Sequence, residues 1–265
     1  MGRLSVQAVD QTVVIVGLGE VGKPLLEIMK GAYQAFGVDI DQPASVSECD
    51  VMHICFPFHN GNFVAQVSQY INQYRPALTV INSTVAPGTT RRIAAESGAA
   101  VVNSPVRGKH ARMQEEMLRY TKFVGALDRR SGQRAVEHFE KVGMKTKLLS
   151  SPEATEIAKL TETTYFGLLI AWAQEVERCC MELAINYDEV VSFYDEIKFF
   201  PPVKYFPGVI GGHCVMPNIE ILSRLGHSEL LHAIKWSNGN KTAREARRIR
   251  DKLATETGSE HKRHG

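Results

Sequence analysis

Hydrophobic and polar positions follow two different periods along the first 150 residues. Short apolar runs are typical of buried strands, and apolar residues at every third or fourth position between them are typical of helices. Strands that alternate with helices predict an α/β fold with a mostly parallel, doubly wound sheet. The predicted strands are Thr12–Val16, Gln34–Asp39, Val51–Phe56, Leu78–Asn82, Ala100–Asn103, Phe123–Gly125 and Thr146–Leu149. The predicted helices are Lys23–Lys30, Phe63–Tyr74, Thr89–Ser97 and Gly132–Val142.

The pattern changes after Ser150. Ser151 and Pro152 are typical of a helix start, and apolar residues then keep helical spacing as far as Ile185. This predicts a long helix of roughly 30 residues, about 45 Å in length at 1.5 Å per residue. We therefore expect a first domain over residues 1–150. A second domain, residues 151–265, contains the long helix and a small helical domain.

Composition excludes several classes of protein. The formal net charge of +2 disfavours a nucleic-acid partner. No apolar run approaches the roughly 20 residues that span a bilayer, so we expect a cytoplasmic protein without a membrane partner. The five cysteines are odd in number and form no Cys-x-x-Cys pair, which indicates neither a disulfide framework nor a metal site. Interior packing is predicted for Cys49, Cys55, Cys179 and Cys180.

A glycine-rich turn follows the first predicted strand. Residues 17–22, Gly-Leu-Gly-Glu-Val-Gly, match the pattern G-x-G-x-x-G between a strand and a helix. In this pattern the first glycine permits a tight turn, the second lets a pyrophosphate approach, and the third lets the helix pack on the strand. Asp39 ends the next strand, where a carboxylate binds the adenosine ribose and repels a 2′-phosphate. The sequence therefore predicts NAD, rather than NADP, as the cofactor.

Four further segments follow this turn in a fixed order. Together with the glycine turn, they resemble the UDP-glucose/GDP-mannose dehydrogenase family over residues 12–225. The segments are Asn82–Thr90 (NSTVAPGTT), Asn103–Arg107 (NSPVR), Glu153–Tyr165, which contains Lys159-Leu160, and Pro207–Cys214 (PGVIGGHC).

The resemblance implies a Rossmann-type domain, a long central helix that supports a homodimer, and oxidation of a sugar primary alcohol to a carboxylate. The expected substrate is therefore a sugar-like small molecule, and two NAD molecules are reduced for each one. The cysteine of the last segment attacks the aldehyde intermediate. The resulting thiohemiacetal loses a second hydride to give a thioester, which water hydrolyses.

Residue by residue, the resemblance assigns three catalytic candidates. Cys214 is the nucleophile, a role that suits a thiol because a thiolate is strongly nucleophilic. Lys159 holds the substrate oxygen and stabilises its developing negative charge. Thr84 lies beside the nicotinamide and a catalytic water. The candidate cofactor-binding residues are Gly17, Leu18, Gly19, Glu20, Val21, Gly22, Asp39, Pro57, Ser83 and Thr84.

Three positions depart from the family pattern: one replaces an amide by a hydroxyl, and the other two lose a carboxylate. Thr163 stands where the family has Asn after the lysine, Val106 where it has Glu, and Asn218 where it has Asp after the cysteine. Family members also carry a second Rossmann-like domain that binds the nucleotide of the substrate. Residues 226–265 are too few for such a domain, so we expect it to be missing from this chain.

Two alternatives stay open. A single-step hydroxyl dehydrogenase of the β-hydroxyacid type would use Lys159 and NAD without the thiol. An NAD-binding pseudoenzyme or regulatory subunit would bind the cofactor without turnover, although the retention of Lys159 and Cys214 argues against it. Substitution of Cys214 separates the first alternative from the thioester route, because only that route needs the thiol.

Overall fold

A seven-stranded sheet forms the centre of the first part of the chain. The computed structural model describes residues 11–39, 46–58, 61–108, 112–197, 205–212 and 214–260. The strand order is β2-β1-β3-β4-β5-β6-β7, and all neighbouring strands are parallel except β5 and β6. The strands are β1 (Thr12–Val16), β2 (Gln34–Val38), β3 (Val51–Ile54), β4 (Leu78–Ile81), β5 (Val101–Asn103), β6 (Lys122–Ala126) and β7 (Thr146–Leu149).

Between these strands, the described residues form five helices. They are α1 (Gly22–Met29), α2 (Phe63–Tyr74), α3 (Thr89–Ser97), α4 (Met113–Arg119) and α5 (Arg129–Lys141). Alternate residues of β1 enter different cores, because successive side chains of a strand point to opposite faces of a sheet. Val13 and Ile15 pack with residues of α1, α4 and α5, whereas Val14 and Val16 pack with residues of α2 and α3. The sheet is therefore covered on both faces, as a doubly wound fold requires.

Most of the described residues after β7 are helical. They form α6 (Pro152–Leu183), α7 (Tyr187–Ser192), a short 3₁₀ turn, α8 (Val215–Ser223) and α9 (Glu229–Glu260). A small core of α6, α8 and α9 residues contains Ala171, Val215, Ile219, Leu231 and Ile234. No described helix is both long and apolar enough to cross a membrane.

The chain divides into two compact units, and the boundary between them lies within α6. One contains the described residues up to Lys159, and the other contains those from Leu160 onward. The sequence predicts the division after residue 150, which is nine residues before this boundary.

The predicted α/β class is confirmed, and the strand and helix predictions hold with shifts of a few residues at the ends. Helix α4 was not predicted, because only Met113 and Met117 mark its apolar face and the residues before it are strongly polar. The antiparallel pairing of β6 was not predicted either. Periodicity identifies a strand, but it does not give the direction in which the strand pairs.

Candidate functional site

The glycine turn closes tightly between β1 and α1. Gly17 has a φ of +90°, and a Cβ atom there would lie 2.8 Å from the backbone nitrogen of Phe56. A Cβ on Gly22 would lie 1.8 Å from the carbonyl oxygen of Gly17. Any side chain at either position would therefore clash with backbone. A Cβ on Gly19, in contrast, would meet no described atom within 4 Å, so this glycine leaves room for a ligand to approach.

Asp39 lies beside this turn. Its Oδ2 accepts a hydrogen bond from the backbone nitrogen of Leu18 at 3.3 Å, and the nitrogen of Gly17 donates to the carbonyl oxygen of Val38 at 2.8 Å. The end of β2 is thereby joined to the glycine turn. The sheet order reverses at β1, between β2 and β3, and ligands of doubly wound folds bind at the carboxyl ends of the strands at such a point. These residues therefore fit a dinucleotide.

The loops after β3 and β4 meet at the same edge. The Ser83 hydroxyl donates to the carbonyl oxygen of Phe56 at 2.6 Å, so it joins the loop that carries Pro57 to the loop that carries Thr84. Pro57 is exposed, and Ser83 and Thr84 are partly buried. The first unit thus brings together the glycine turn, Asp39 and Ser83 through backbone and side-chain hydrogen bonds at neighbouring strand ends.

Lys159 is the last residue of the first unit and is partly buried. One helical turn earlier, the Thr155 hydroxyl donates to Asn103 Oδ1 at 2.6 Å. A Cβ on Gly125 would lie 2.5 Å from this Thr155 oxygen, so the start of α6 packs closely against β6. The contacts of Thr155 therefore fix the helix that carries Lys159 to the ends of β5 and β6.

A buried polar chain lies next to these strand ends. Lys122 Nζ donates to Asn82 Oδ1 at 3.1 Å and to the carbonyl oxygens of Ser104 and Pro105 at 2.6 and 3.3 Å. The three oxygens receive the three protons of the ammonium group. Burial, with a smaller contribution from the charge of Lys159, nevertheless lowers the pKa of Lys122 to about 7. Lys122 therefore ties the loop after β5 to the end of β4.

Two histidines extend this buried chain of hydrogen bonds beyond Asn82. Because Asn82 Oδ1 accepts from Lys122, its Nδ2 donates to His53 Nδ1 at 3.0 Å. His53 then carries its proton on Nε2 and donates to His138 Nε2 at 2.8 Å. Burial lowers the pKa of His138 to about 4 and that of His53 well below its ordinary value. Both rings are therefore neutral near pH 7.

Cys214 belongs to the second unit. It is exposed and precedes the first residue of α8. One turn further along, Asn218 is buried and its Nδ2 donates to the Thr163 hydroxyl at 2.8 Å. Two of the three departures from the family pattern are therefore direct partners. His213, which precedes Cys214, lies outside the described residues.

The other cysteines do not all behave as predicted. Cys49 and Cys180 are buried and Cys55 is partly buried, but Cys179 is exposed. Interior packing is therefore the wrong prediction for Cys179. Among the residues that the structure describes, no cluster of three His, Cys, Asp or Glu side chains is arranged to hold a metal ion.

The polar residues around the strand ends include several that the motifs did not single out. Lys122 occupies a buried position of β6, and Glu156 of α6 contacts the start of α3. A polar residue at a position where the strand pattern calls for an apolar one was the available signal for Lys122. For Glu156 the sequence held no such signal, because its partners are 66 and 68 residues away.

The parallel sheet, its reversal at β1 and the glycine turn define an α/β protein of the Rossmann type. A model of the central domain of the UDP-glucose/GDP-mannose dehydrogenase family matches residues 153–242. The match covers about a third of the chain, and it confirms the resemblance to this family that the motifs predict.

Individual relatives agree with this assignment. A UDP-N-acetyl-D-mannosamine dehydrogenase of Methanocaldococcus jannaschii is 24% identical over 209 residues, which cover 73% of this chain and 48% of the relative. The chain spans about half the length of the first curated relatives that it matches.

Solved structures share the fold. A UDP-D-ManNAc dehydrogenase from Pyrococcus horikoshii superposes with a TM-score of 0.78 at 19% identity, over 93% of this chain and 72% of that one. A Mycobacterium tuberculosis 3-hydroxyisobutyrate dehydrogenase superposes with a TM-score of 0.69 at 18% identity, over 86% of this chain and 92% of that one. At these identities the likeness shows the fold alone.

Proposed function

We propose that this chain is an NAD-dependent dehydrogenase that oxidises the primary alcohol of a sugar, or its aldehyde, toward a carboxylate. The observation that carries the proposal is the glycine turn, which is open at Gly19 and joined to Asp39 through Leu18. The match of the central-domain model to residues 153–242 supports the same chemistry. The named relatives act on nucleotide-linked sugars, and we propose a substrate of that class.

NAD is the cofactor that this edge of the sheet fits. The amino end of α1 faces the turn and favours a pyrophosphate, while Asp39 favours an unmodified ribose over a 2′-phosphate. Pro57, Ser83 and Thr84 lie on the neighbouring loops and complete the proposed cofactor site. When bound, NAD supplies a hydride acceptor.

Lys159 and Thr84 are the proposed polar groups of the first oxidation. In this step the alcohol carbon loses a hydride and its hydroxyl oxygen loses a proton to the neighbouring water. Partial negative charge builds on the oxygen as that proton leaves. An ammonium group beside that oxygen stabilises the charge, and we assign this role to Lys159. We assign to Thr84 the binding of the catalytic water, as the family resemblance implies.

Cys214 is the proposed nucleophile of the second oxidation. Its sulfur adds to the aldehyde carbon, and the aldehyde oxygen takes up a proton to give a thiohemiacetal. This adduct loses a hydride and a proton to become a thioester. Water then attacks the thioester carbon, which releases the carboxylate and regenerates the thiol. The exposure of Cys214 at the start of α8 suits a group that must reach a substrate.

Turnover by the purified chain tests the proposal. NADH formation is followed with NAD and a panel of sugars, both nucleotide-linked and free, for the wild type and for Cys214→Ala. Cys179→Ala is the matched control, because Cys179 is the other exposed cysteine of the second unit. We expect acid formation in the wild type and the control but not in Cys214→Ala. NAD binding without turnover of any sugar would instead favour a pseudoenzyme or regulatory subunit.

A single-step hydroxyl dehydrogenase is the second candidate. The observation that favours it is the Asn218–Thr163 pair, which places an amide and a hydroxyl where the family has charged and amide groups. A pair without charge offers less help to the hydrolysis of a thioester. The chain also spans 92% of a 3-hydroxyisobutyrate dehydrogenase of the same fold. Release of one NADH per substrate, unaffected by Cys214→Ala, would establish this candidate.

A homodimer through α6 is part of the proposal. Tyr165, Trp172 and Leu183 of this helix are 55%, 58% and 69% exposed. Their separations of 7 and 11 residues are both close to a whole number of helical turns, so they lie on one side of the helix. An apolar stripe of this kind is suited to a second copy of the same helix. We also expect a cytoplasmic location, where NAD and nucleotide sugars occur.

A further inference from the structure

A carboxylate from a distant helix holds the loop between β4 and α3. Glu156 Oε2 accepts a hydrogen bond from the backbone nitrogen of Gly88 at 2.7 Å. Its Oε1 accepts from the backbone nitrogen of Thr90 at 2.9 Å and from the Thr90 hydroxyl at 2.6 Å. Glu156 is only 1% exposed, so these three donors replace the water that a carboxylate otherwise binds.

The donors belong to the amino end of α3. Gly88 is the residue before the helix, with a φ of +87°, and the first amides of any helix have no acceptor within it. Helices usually receive this cap from a Ser, Thr, Asp or Asn beside them in sequence. Here the cap is supplied by α6, from 68 residues further along the chain. The contact therefore joins α6 to α3, whereas a cap from a neighbouring residue would stabilise α3 alone.

The two elements joined are those that carry the proposed polar groups of the first oxidation. Thr84 lies four residues before Gly88, in the loop that Glu156 holds. Lys159 lies three residues after Glu156, and residues three apart are neighbours on a helix surface. We propose that Glu156 is a positioning residue that fixes the loop carrying Thr84 relative to Lys159. This inference rests on the proposed function, in which both residues contact substrate or its water.

A second carboxylate of α6 provides the comparison that isolates this role. Glu153, one turn earlier, receives hydrogen bonds from Arg91 of α3 at 2.7 and 3.1 Å. The Arg91 side chain is 60% exposed, and an exposed pair of this kind contributes little to stability. Glu153 contacts the same helix as Glu156, but it does not contact Gly88 or Thr90. Its removal weakens the α3–α6 contact without releasing the loop.

Glu156 must be ionised to accept all three hydrogen bonds. Burial raises its pKa and the charge of Glu153 raises it further, whereas the bonds from Thr90 and Gly88 act in the opposite direction. Arg91 on α3 also interacts electrostatically with Glu156, and Lys159 lies three residues further along the same helix. A proton on Glu156 turns one acceptor oxygen into a donor that faces other donors. The loop is therefore released on the acid side, and the raised pKa of Glu156 moves this release to a higher pH than an unperturbed carboxyl group would give.

Steady-state kinetics of the full chain test this positioning. We compare wild type, Glu156→Gln and Glu153→Gln with NAD and a nucleotide sugar that the wild type oxidises. We expect Glu156→Gln to lower kcat by about 10- to 100-fold, because a misplacement of the order of 1 Å has that effect. KM for NAD rises by less than kcat falls, because the glycine turn and Asp39 lie outside the released loop and only Ser83 and Thr84 of the proposed cofactor site lie on it. The acid limb of the wild-type pH profile disappears in this variant.

The controls decide whether the effect is more than structural. Glu153→Gln keeps kcat within about threefold of wild type and keeps the acid limb. Thr90→Val removes only the hydroxyl bond and shows an intermediate loss, which covers the case that Glu156→Gln fails to fold. Equal losses in Glu153→Gln and Glu156→Gln, or an unchanged kcat in Glu156→Gln, would overturn the proposal.

Hydrogen exchange separates this inference from the proposed function. Exchange is measured for peptides covering residues 82–90 in the three proteins without any substrate. We expect the Gly88 and Thr90 amides to exchange about tenfold faster or more in Glu156→Gln and to be unchanged in Glu153→Gln. A wild type that binds NAD without turnover contradicts the proposed function. In that case the exchange rates still test whether Glu156 holds the loop. Unchanged rates in Glu156→Gln overturn the positioning role of Glu156.

Discussion

The ammonium group of Lys122 is buried, and its three hydrogen bonds reach the side chain of Asn82 and the backbone of Ser104 and Pro105. Lys122 therefore joins the end of β4, which Ser83 and Thr84 follow, to the end of β5, where the Asn103–Arg107 segment begins. The cost of this contact is the removal of a charge from water, which is why its pKa falls to about 7. This single residue should leave a clear signature in the pH dependence of stability.

Lys122→Met should remove that signature. In wild type the folded state loses the Lys122 proton near pH 7, whereas the unfolded chain keeps it to about pH 10.4. Between these values the unfolded state binds more protons, so the free energy of unfolding rises with pH by up to about 1.4 kcal/mol per unit. Urea unfolding at pH 7, 8 and 9 measures this slope. We expect the slope to be smaller by this amount in Lys122→Met and unchanged in Lys147→Met, an exposed residue of β7. Equal slopes in all three proteins would contradict the lowered pKa of Lys122 in the folded state.

Asp39 should set the choice of cofactor. Asp39→Ala removes the carboxylate that favours the ribose of NAD and that repels the 2′-phosphate of NADP. We expect the affinity for NAD to fall and that for NADP to rise, so that their ratio changes by about tenfold or more. Titration calorimetry with both cofactors measures the ratio. A preference for NADP in the wild type would show that the assignment of Asp39 is wrong.

The candidate site could be predicted from the sequence only where its residues are near each other in the chain. Gly17, Gly19 and Gly22 belong to one continuous motif, and Asp39 follows it at the expected distance. Lys122 and Glu156 were not singled out, because their partners lie 17 to 40 and 66 to 68 residues away in the chain. Such pairings depend on which strands and helices become neighbours, and one sequence does not show that.

At the scale of elements, prediction worked where one period extended over a whole segment. Helices Phe63–Tyr74 and Thr89–Ser97 and strands Thr12–Val16 and Thr146–Leu149 have the predicted bounds. Helix α4 was missed because its two buried methionines offer a single turn of periodicity. The long helix was predicted over residues 151–185, and the structure has it over Pro152–Leu183.

The turn between β1 and α1 yields a prediction about two glycines of one motif. Gly22→Ala places a Cβ 1.8 Å from the Gly17 oxygen, so we expect a fall in Tm of several degrees and loss of NAD binding. Gly19→Ala meets no described atom within 4 Å. It should keep Tm within about 2 °C of wild type and still weaken NAD binding by about tenfold, because the methyl group occupies the approach of the pyrophosphate. Thermal unfolding with and without NAD measures both, and full NAD affinity in Gly19→Ala would contradict this placement of the cofactor.

At the scale of the whole molecule, the chain has two compact units and an apolar stripe on the helix at which they divide. Trp172→Lys places a charge in the middle of this stripe. We expect it to convert a dimer into a monomer in light scattering, because a buried unpaired charge opposes association. Trp236→Lys is the matched control, since Trp236 of α9 is also 58% exposed but does not belong to the stripe. A monomeric wild type at micromolar concentration would remove the proposed homodimer.

The number of NADH molecules released per molecule of sugar tests the central claim most directly. The thioester route predicts two NADH for each nucleotide sugar consumed by the wild type and by Cys179→Ala. It predicts at most one for Cys214→Ala, with aldehyde rather than acid as the product. A ratio of one in the wild type, unchanged by removal of the Cys214 thiol, would contradict the account and assign a single hydroxyl oxidation to this chain.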